Sequence, residues 1–244
     1  MFDNSGDLKG GSLLHAAAEK GDLELLKRLV LKLEEKNPQD EHGLTPLHHA
    51  ASKGHLSTVK FLLPLISYKN PKSGERWYGS TPLHYAAMNG HLQIVEHLIE
   101  HIEGDINPSQ SFTPRRTVLH IAAENGHLSV VSFYTNRLPN PNPGTLTNDK
   151  FRGTTPLHLA AQFGHLQVVQ HICSLLEDKN PKNANDHTPL HVSASNGHLE
   201  VVKFLVNHVE DKHPINGVLY GRTTPLDYAK ERGHIEVVNF LEQL

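Results

Sequence analysis

The chain has 244 residues, of which 37% are hydrophobic and 20% charged, a composition that indicates a folded protein rather than a disordered one. A formal net charge of −3 argues against a general nucleic-acid binder. The single cysteine, Cys173, excludes an internal disulfide, and no apolar run is long enough to suggest a membrane span. Because the first residues also lack a signal-peptide pattern, we expect an intracellular, cytoplasmic protein.

A segment of about twelve residues recurs along the chain. Its first copy, SLLHAAAEKGDL, begins at Ser12, and the second, TPLHHAASKGHL, begins at Thr45. Five further copies begin at Thr81, Thr117, Thr155, Thr188 and Thr224. The spacings from start to start are 33, 36, 36, 38, 33 and 36 residues, and a glycine always falls nine residues after the Thr or Ser. Repetition at this period predicts a stack of like units.

Each copy predicts two helices joined by a tight turn. The Thr is placed as an N-cap, whose hydroxyl accepts a hydrogen bond from a free amide of the first turn, and the proline after it suits the first helical position. The glycine is placed to end this helix in the left-handed conformation. Apolar residues then recur at helical spacing, as at Leu56, Val59 and Leu62, and a pair such as Asn37-Pro38 breaks the chain.

These residues resemble the ankyrin repeat, and the match runs from about Ser12 to Leu244. The resemblance implies an all-α solenoid of stacked helix-turn-helix units with projecting hairpin fingers, in a domain of residues 12–244 after a tail of residues 1–11. It implies protein binding without catalysis. It also implies that the TPLH histidine bonds to Thr and backbone groups, and that the histidine after glycine ties adjacent units. Polar outer faces on the first and last copies predict end caps and a complete domain.

The copies differ mainly in the finger, the segment between the breaker and the next Thr, which we number by the copy that it precedes. The six fingers are 7, 10, 9, 14, 7 and 10 residues long, and each longer one combines an aromatic residue with arginine, types that are enriched at interfaces. Met88 and Phe163, just before their glycines, belong by the same resemblance to the concave side beside the fingers. The predicted partner-binding residues are Arg76, Trp77, Tyr78, Met88, Phe112, Arg115, Phe151, Arg152, Phe163, Tyr220 and Arg222.

The expected partner is another protein or a peptide, with acidic groups facing the arginines, and the chain by itself is expected to be monomeric. Two alternatives stay open at the fingers: the aromatic residues pack on neighbouring fingers to stiffen them, or the arginines bind nucleic acid. The longest finger, in residues 140–154, is either a binding insertion or a weak joint, and its richness in Pro and Asn fits both.

The segment HLIEH, residues 97–101, fits the H-x-x-E-H motif of a class of zinc proteases, so a metal-dependent hydrolase is a further alternative. The repeats favour a plainer explanation. The slot of His97 holds phenylalanine in four other copies, no third ligand stands out, and 12 of the 20 histidines occupy the two repeated positions. We therefore predict no metal, no cofactor and no catalytic residue, and we expect Cys173 to be a buried, inert thiol.

Overall fold

A computed structural model describes residues 10–147, 152–217 and 221–244, with side chains described from residue 13 onward. Over this part of the chain it contains fourteen α-helices in seven consecutive pairs and no β-strand. The pairs are α1 Gly10–Lys20 with α2 Leu23–Val30, α3 Pro46–Lys53 with α4 Leu56–Leu62, α5 Pro82–Met88 with α6 Leu92–His101, α7 Val118–Glu124 with α8 Leu128–Thr135, α9 Pro156–Gln162 with α10 Leu166–Ser174, α11 Pro189–Ser195 with α12 Leu199–Val206, and α13 Pro225–Arg232 with α14 Ile235–Leu241. The predicted all-helical architecture is confirmed.

The chain divides into two compact units, Met1–Val118 and Leu119–Leu244. In the first unit, α1 packs on α3 and α3 on α5, while α4 packs on α6. In the second, α9, α11 and α13 stack in the same way, as do α8, α10, α12 and α14. First helices thus pack on first helices and second helices on second, which is the arrangement of a solenoid.

The core of the stack is built from the leucine of TPLH and the alanines after it. Leu47, Leu83 and Leu157 are completely buried, as are Ala50 and Ala51. Burying one leucine contributes about 2 kcal/mol, and the small alanines let the neighbouring first helix approach closely. Within each compact unit, a helix pair therefore depends on the neighbouring pair to cover its apolar face.

The helices begin and end where their residues dictate. The threonine N-caps have an extended backbone, and the hydroxyls of Thr155, Thr188 and Thr224 accept a bond from the amide three residues on, as predicted. The glycine in the repeated slot has a φ between 69° and 81° in all seven copies. Residues other than glycine rarely adopt this left-handed backbone conformation. These glycines are Gly21, Gly54, Gly90, Gly126, Gly164, Gly197 and Gly233.

The breakers before fingers two and six also help to cap the neighbouring helices. The side-chain oxygen of Asn37 accepts a hydrogen bond from the amide of Leu47, at the start of α3, over 3.1 Å. Asn180 does the same for Leu190 at the start of α11, also over 3.1 Å. Lys36 donates to carbonyl groups at the end of the preceding α2 segment. The Lys-Asn-Pro sequence therefore fixes the point from which the finger leaves the helical stack.

Candidate functional site

In five copies the histidine of TPLH, or of SLLH in the first copy, joins its own helix to the next finger. In His48, Nδ1 accepts a hydrogen bond from the backbone amide of Thr45 over 3.0 Å. The Nε2–H group of the same ring donates to the carbonyl of Ser80, the residue just before the next N-cap, over 3.2 Å. Equivalent bonds link His15 to Leu44, His120 to Thr154, His158 to His187, and His191 to Thr223. The structural role that the resemblance implies for this histidine is therefore present.

Burial keeps these imidazoles neutral. Loss of water around the charged ring lowers the pKa of four TPLH histidines from 6.5 to about 4, and the hydrogen bonds to carbonyls oppose this shift only in part. The four are His48, His84, His158 and His191. Because Nδ1 accepts a hydrogen bond in each of them, a neutral ring carries its only hydrogen on Nε2. Such a ring has no free lone pair for a metal ion.

The histidine after the glycine connects successive helix pairs. The Nε2–H group of His165 donates over 2.8 Å to the carbonyl of Glu124, two residues before the previous glycine. A β-carbon on that glycine, Gly126, would lie 2.5 Å from the His165 ring. The same bond recurs from His55 to Glu19, His91 to Ser52, His198 to Gln162 and His234 to Ser195. Glycine is thus needed here for close approach as well as for its backbone angle.

Main-chain hydrogen bonds join neighbouring fingers. The amide of Gly74 in finger three donates to the carbonyl of His42 in finger two over 2.9 Å. The amide of Phe112 in finger four donates to the carbonyl of Tyr78 in finger three over 3.1 Å. A β-carbon on Gly79 would lie 2.6 Å from Ser111, so these two fingers pack backbone against side chain. Side chains at the tips therefore project from a braced edge rather than from independent loops.

Three predicted residues lie together on fingers three and four, and we name Trp77, Tyr78 and Phe112 the finger cluster. Trp77 ends a 3₁₀ turn, Glu75–Trp77, and its ring lies edge-on to the ring of His42 with centroids 6.4 Å apart. The exposed fractions of the three side chains are 39%, 48% and 40%. Each ring is thus partly packed and partly open to solvent, as an anchor for a partner should be.

Charge distinguishes the same two fingers from the rest of the chain. They carry four cations, Lys72, Arg76, Arg115 and Arg116, against one anion, Glu75, although the whole chain has a net charge of −3. Tyr78 and Arg115 adopt φ angles of 60° and 54°, in the left-handed region where a side chain costs about 1 to 2 kcal/mol. Asp186 and Arg222, on fingers six and seven, adopt the same φ of 57°, so this conformation recurs among the fingers.

The other predicted residues are more scattered. Arg76 is exposed beside the finger cluster, and Met88 is half-buried at the end of α5. In the second unit, Phe163 is 44% exposed and stacks on His165 with centroids 6.5 Å apart, while Arg152 and Arg222 are exposed. Phe151 and Tyr220 lie outside the described residues.

The HLIEH segment forms the last turns of α6. Leu98 is fully buried, whereas Glu100 and His101 are exposed. The rings of His97 and His101 have centroids 4.5 Å apart, and Nδ1 of His97 lies 3.8 Å from a carboxylate oxygen of Glu100. Within the described part of the chain, this is the one group of three or more His, Cys, Asp or Glu side chains whose ligand atoms all lie within 4.8 Å. Sequence reasoning noted the two histidines and did not count Glu100 as a third side chain of such a group.

Sequence reasoning also missed some contacts and anticipated others. Finger two was assigned no role, yet its His42 packs against Trp77, and only the histidine in QDEHGL could have hinted at this. Thr135, in the divergent fourth copy, is buried, and its hydroxyl lies 2.9 Å from Nε2 of His171. Cys173 is buried, as expected, and burial raises its pKa to about 12, which favours the neutral thiol.

Comparison with known families agrees with this geometry. A family model described as ankyrin repeats (3 copies) matches the chain at residues 14–110, 104–183 and 170–243. The chain therefore belongs to the ankyrin-repeat family, whose repeats are generally protein–protein interaction modules and typically not catalytic. No curated protein matches the sequence. Among the described helices, none combines the length and the hydropathy required to cross a lipid bilayer.

Proposed function

We propose that this chain is a non-catalytic interaction scaffold that holds a partner protein or peptide against fingers three and four. The observation that carries the proposal is the finger cluster: three partly exposed aromatic rings on two fingers joined by a main-chain hydrogen bond. Aromatic side chains on a rigid support offer large apolar area at a small cost in conformational entropy, which is why they dominate binding hot spots. Trp77, Tyr78 and Phe112 would be the apolar anchors.

The cations around the cluster define the partner further. Arg76 and Arg115 are exposed on the same fingers as the aromatic rings. An arginine fork pairs with a carboxylate through two parallel hydrogen bonds, so acidic groups beside an apolar residue suit this surface. The expected occupant is an extended segment with one or two large apolar residues flanked by Asp or Glu.

The other predicted residues would contribute to partner binding within their own compact unit. Met88 lies on the helix that follows finger three, and Phe163 leaves more than two fifths of its ring in solvent. Arg152 and Arg222, together with Phe151 and Tyr220, belong to fingers five and seven. An interface of standard size, about 1,600 Å² in total, needs residues from more than one finger. Met88 would add to the partner surface of the first compact unit, and the predicted residues from 152 onward would form a partner surface of the second, in a chain that acts as a cytoplasmic, monomeric adaptor.

The competing explanation is that the aromatic rings serve only to stiffen the fingers. Both explanations predict some burial of Trp77. They differ in how removal of its ring affects the free energy of unfolding and the affinity for a partner. Stiffening predicts that Trp77→Ala lowers the free energy of unfolding and affects binding no more than any equally destabilising change. An anchor predicts that affinity falls while the rest of the stack, whose core lies in the helices, keeps its stability.

Selection from a library of displayed peptides tests the proposal. Peptides selected on the wild-type chain should be rich in Asp and Glu around an apolar residue. Their affinity, measured by fluorescence polarisation, should fall at least about tenfold in Trp77→Ala and in Phe112→Ala, a loss of about 1.4 kcal/mol or more. Tyr68→Ala is the matched control, because this aromatic side chain is 63% exposed in the linker after α4 and lies outside the finger cluster.

Circular dichroism of all three variants shows whether the helices remain intact. Unchanged affinity in both cluster variants would show that the proposed surface is wrong. An equal loss in Tyr68→Ala would show that the peptides bind to aromatic side chains without regard to position.

A further inference from the structure

We infer that the end of α6 carries a binding site for a divalent transition-metal ion such as zinc, formed by His97, Glu100 and His101. The site shares no residue with the finger cluster, and the inference does not depend on the proposed partner binding. It concerns metal binding alone and assigns no catalytic step to the ion.

The three side chains have the spacing of a chelating helix face. Positions i, i+3 and i+4 lie on the same side of an α-helix, so His97, Glu100 and His101 project together. Their ligand atoms lie within 4.8 Å of one another. Zinc bonds to nitrogen of about 2.0 to 2.1 Å place tetrahedral donors about 3.3 Å apart, so small side-chain rotations bring the three atoms to bonding distance.

The hydrogen bond made by His101 prepares its ring for a metal ion. Its Nδ1 lies 2.8 Å from the backbone carbonyl of His97, and this contact requires a hydrogen on Nδ1. The neutral ring therefore keeps the lone pair of Nε2 free and exposed. Histidine ligands usually donate their second nitrogen to a carbonyl or carboxylate in this way, which fixes the tautomer and the direction of the ring.

The charges around the site favour a cation on balance. Glu100 supplies a carboxylate 3.8 Å from Nδ1 of His97 and offsets part of the charge of a bound ion. The side chain of Lys60, on the preceding α4, interacts electrostatically with His97 and would repel a metal ion. It lies on another helix, outside the chelating face.

The other copies show that the pair belongs to α6 within the described helices. In the sixth copy the equivalent residues are Phe204, in α12, and His208, just after it, and their rings stack with centroids 4.1 Å apart. In the fifth copy they are His171, in α10, and Leu175, just after it, and the His171 ring already contacts the hydroxyl of Thr135. A single histidine in either slot is compatible with the fold, and α6 brings two of them together with a carboxylate.

The donor set selects the class of ion. Two imidazole nitrogens and one carboxylate oxygen suit zinc, nickel and copper, whereas calcium and magnesium prefer sites made entirely of oxygen. Three protein donors leave positions for water, so affinity should fall short of that of a closed structural site. A dissociation constant in the micromolar range is expected.

Calorimetric titration with zinc chloride tests the inference on the full chain, freed of any affinity tag. We expect one equivalent to bind at pH 7.5. His97→Phe should weaken binding at least about tenfold, because it removes one donor. This substitution keeps the fold accessible, since phenylalanine fills the same slot at Phe61, Phe133, Phe204 and Phe240.

Two further variants sharpen the test. Glu100→Gln should also weaken zinc binding, by a smaller factor, because the amide oxygen carries no negative charge. His208→Gln is the matched control: His208 makes the same ring-to-carbonyl hydrogen bond, over 2.7 Å, but has a phenylalanine beside it. It should leave zinc binding unchanged.

The inference is overturned if the wild-type chain binds no zinc equivalent in the micromolar range, or if His97→Phe binds zinc as tightly as the wild type. It is overturned equally if His208→Gln weakens binding as much as His97→Phe. Trp77→Ala should bind zinc normally. That result would show that zinc binding does not depend on the finger cluster and so is tested separately from partner binding.

Discussion

A histidine side chain in this protein takes its role from what its two ring nitrogens contact. In His48 one nitrogen accepts from the N-cap amide and the other donates to the next finger, so the ring is fully committed to the fold. In His101 one nitrogen contacts its own helix and the other is exposed. Chemically identical side chains are thus structural in one slot and available for ligation in another.

The buried TPLH histidines predict a stability that depends on pH. Their pKa in the folded chain is about 4, below the ordinary value of 6.5, so between these values the unfolded chain binds more protons. Stability is therefore complete above pH 6.5 and falls as the pH drops towards 4. Each such histidine contributes a slope of about 1.4 kcal/mol per pH unit.

The midpoint of urea unfolding, followed by circular dichroism from pH 7.5 to 4.5, measures this dependence. We expect a steep fall below pH 6.5 in the wild type. The same fall is expected in His101→Gln, because that ring is exposed in the folded chain. A midpoint that stays constant down to pH 5 would contradict the assignment of these rings as buried and neutral.

At the scale of the helix pairs, cohesion depends on the contact between a glycine and the histidine of the next copy. Gly164 has a φ of 75°, and a β-carbon there would lie 2.5 Å from the His198 ring. Gly233 occupies the same slot in the last copy with a φ of 73°, and a β-carbon there would meet nothing within 4 Å. Comparison of the two positions therefore separates two free-energy costs of adding a β-carbon: that of the left-handed backbone angle and that of the clash with the next histidine.

Alanine substitutions at these two glycines should differ accordingly. Gly233→Ala imposes only a left-handed backbone on alanine and should lower the free energy of unfolding by about 1 kcal/mol. Gly164→Ala also displaces the His198 ring and its bond to Gln162, and should cost about 2 to 4 kcal/mol. Urea unfolding of both variants measures the difference. Equal losses would mean that the histidine contact adds nothing to cohesion between pairs.

At the scale of the whole molecule, the fold could be predicted because its causes are local and repeated. The N-cap threonine, the proline after it and the left-handed glycine each act within a few residues, and the sequence shows them copy after copy. The domain limits of 12–244 remain a prediction. The division into Met1–Val118 and Leu119–Leu244 was not anticipated, because it depends on tertiary contacts rather than on local pattern.

The details of the candidate site were less accessible, because they depend on the path of the fingers. The composition of finger three indicated that Trp77 matters, but its contact with His42 joins residues 35 positions apart through backbone pairing that no local motif signals. The third ligand at Glu100 was missed for a different reason. The protease motif assigns the glutamate as a base, which drew attention away from its place on the same helix face as the histidines.

The most direct test of the account follows the one tryptophan of the chain. Trp77 supplies a single indole N–H signal in a proton–nitrogen correlation spectrum. Addition of a peptide selected on the wild-type chain should shift this signal, together with the amides of residues 74–79, 110–113 and 115, while the amides of α6 stay in place. Saturable binding that leaves the indole signal unmoved and shifts amides elsewhere would contradict the claim that the finger cluster holds the partner.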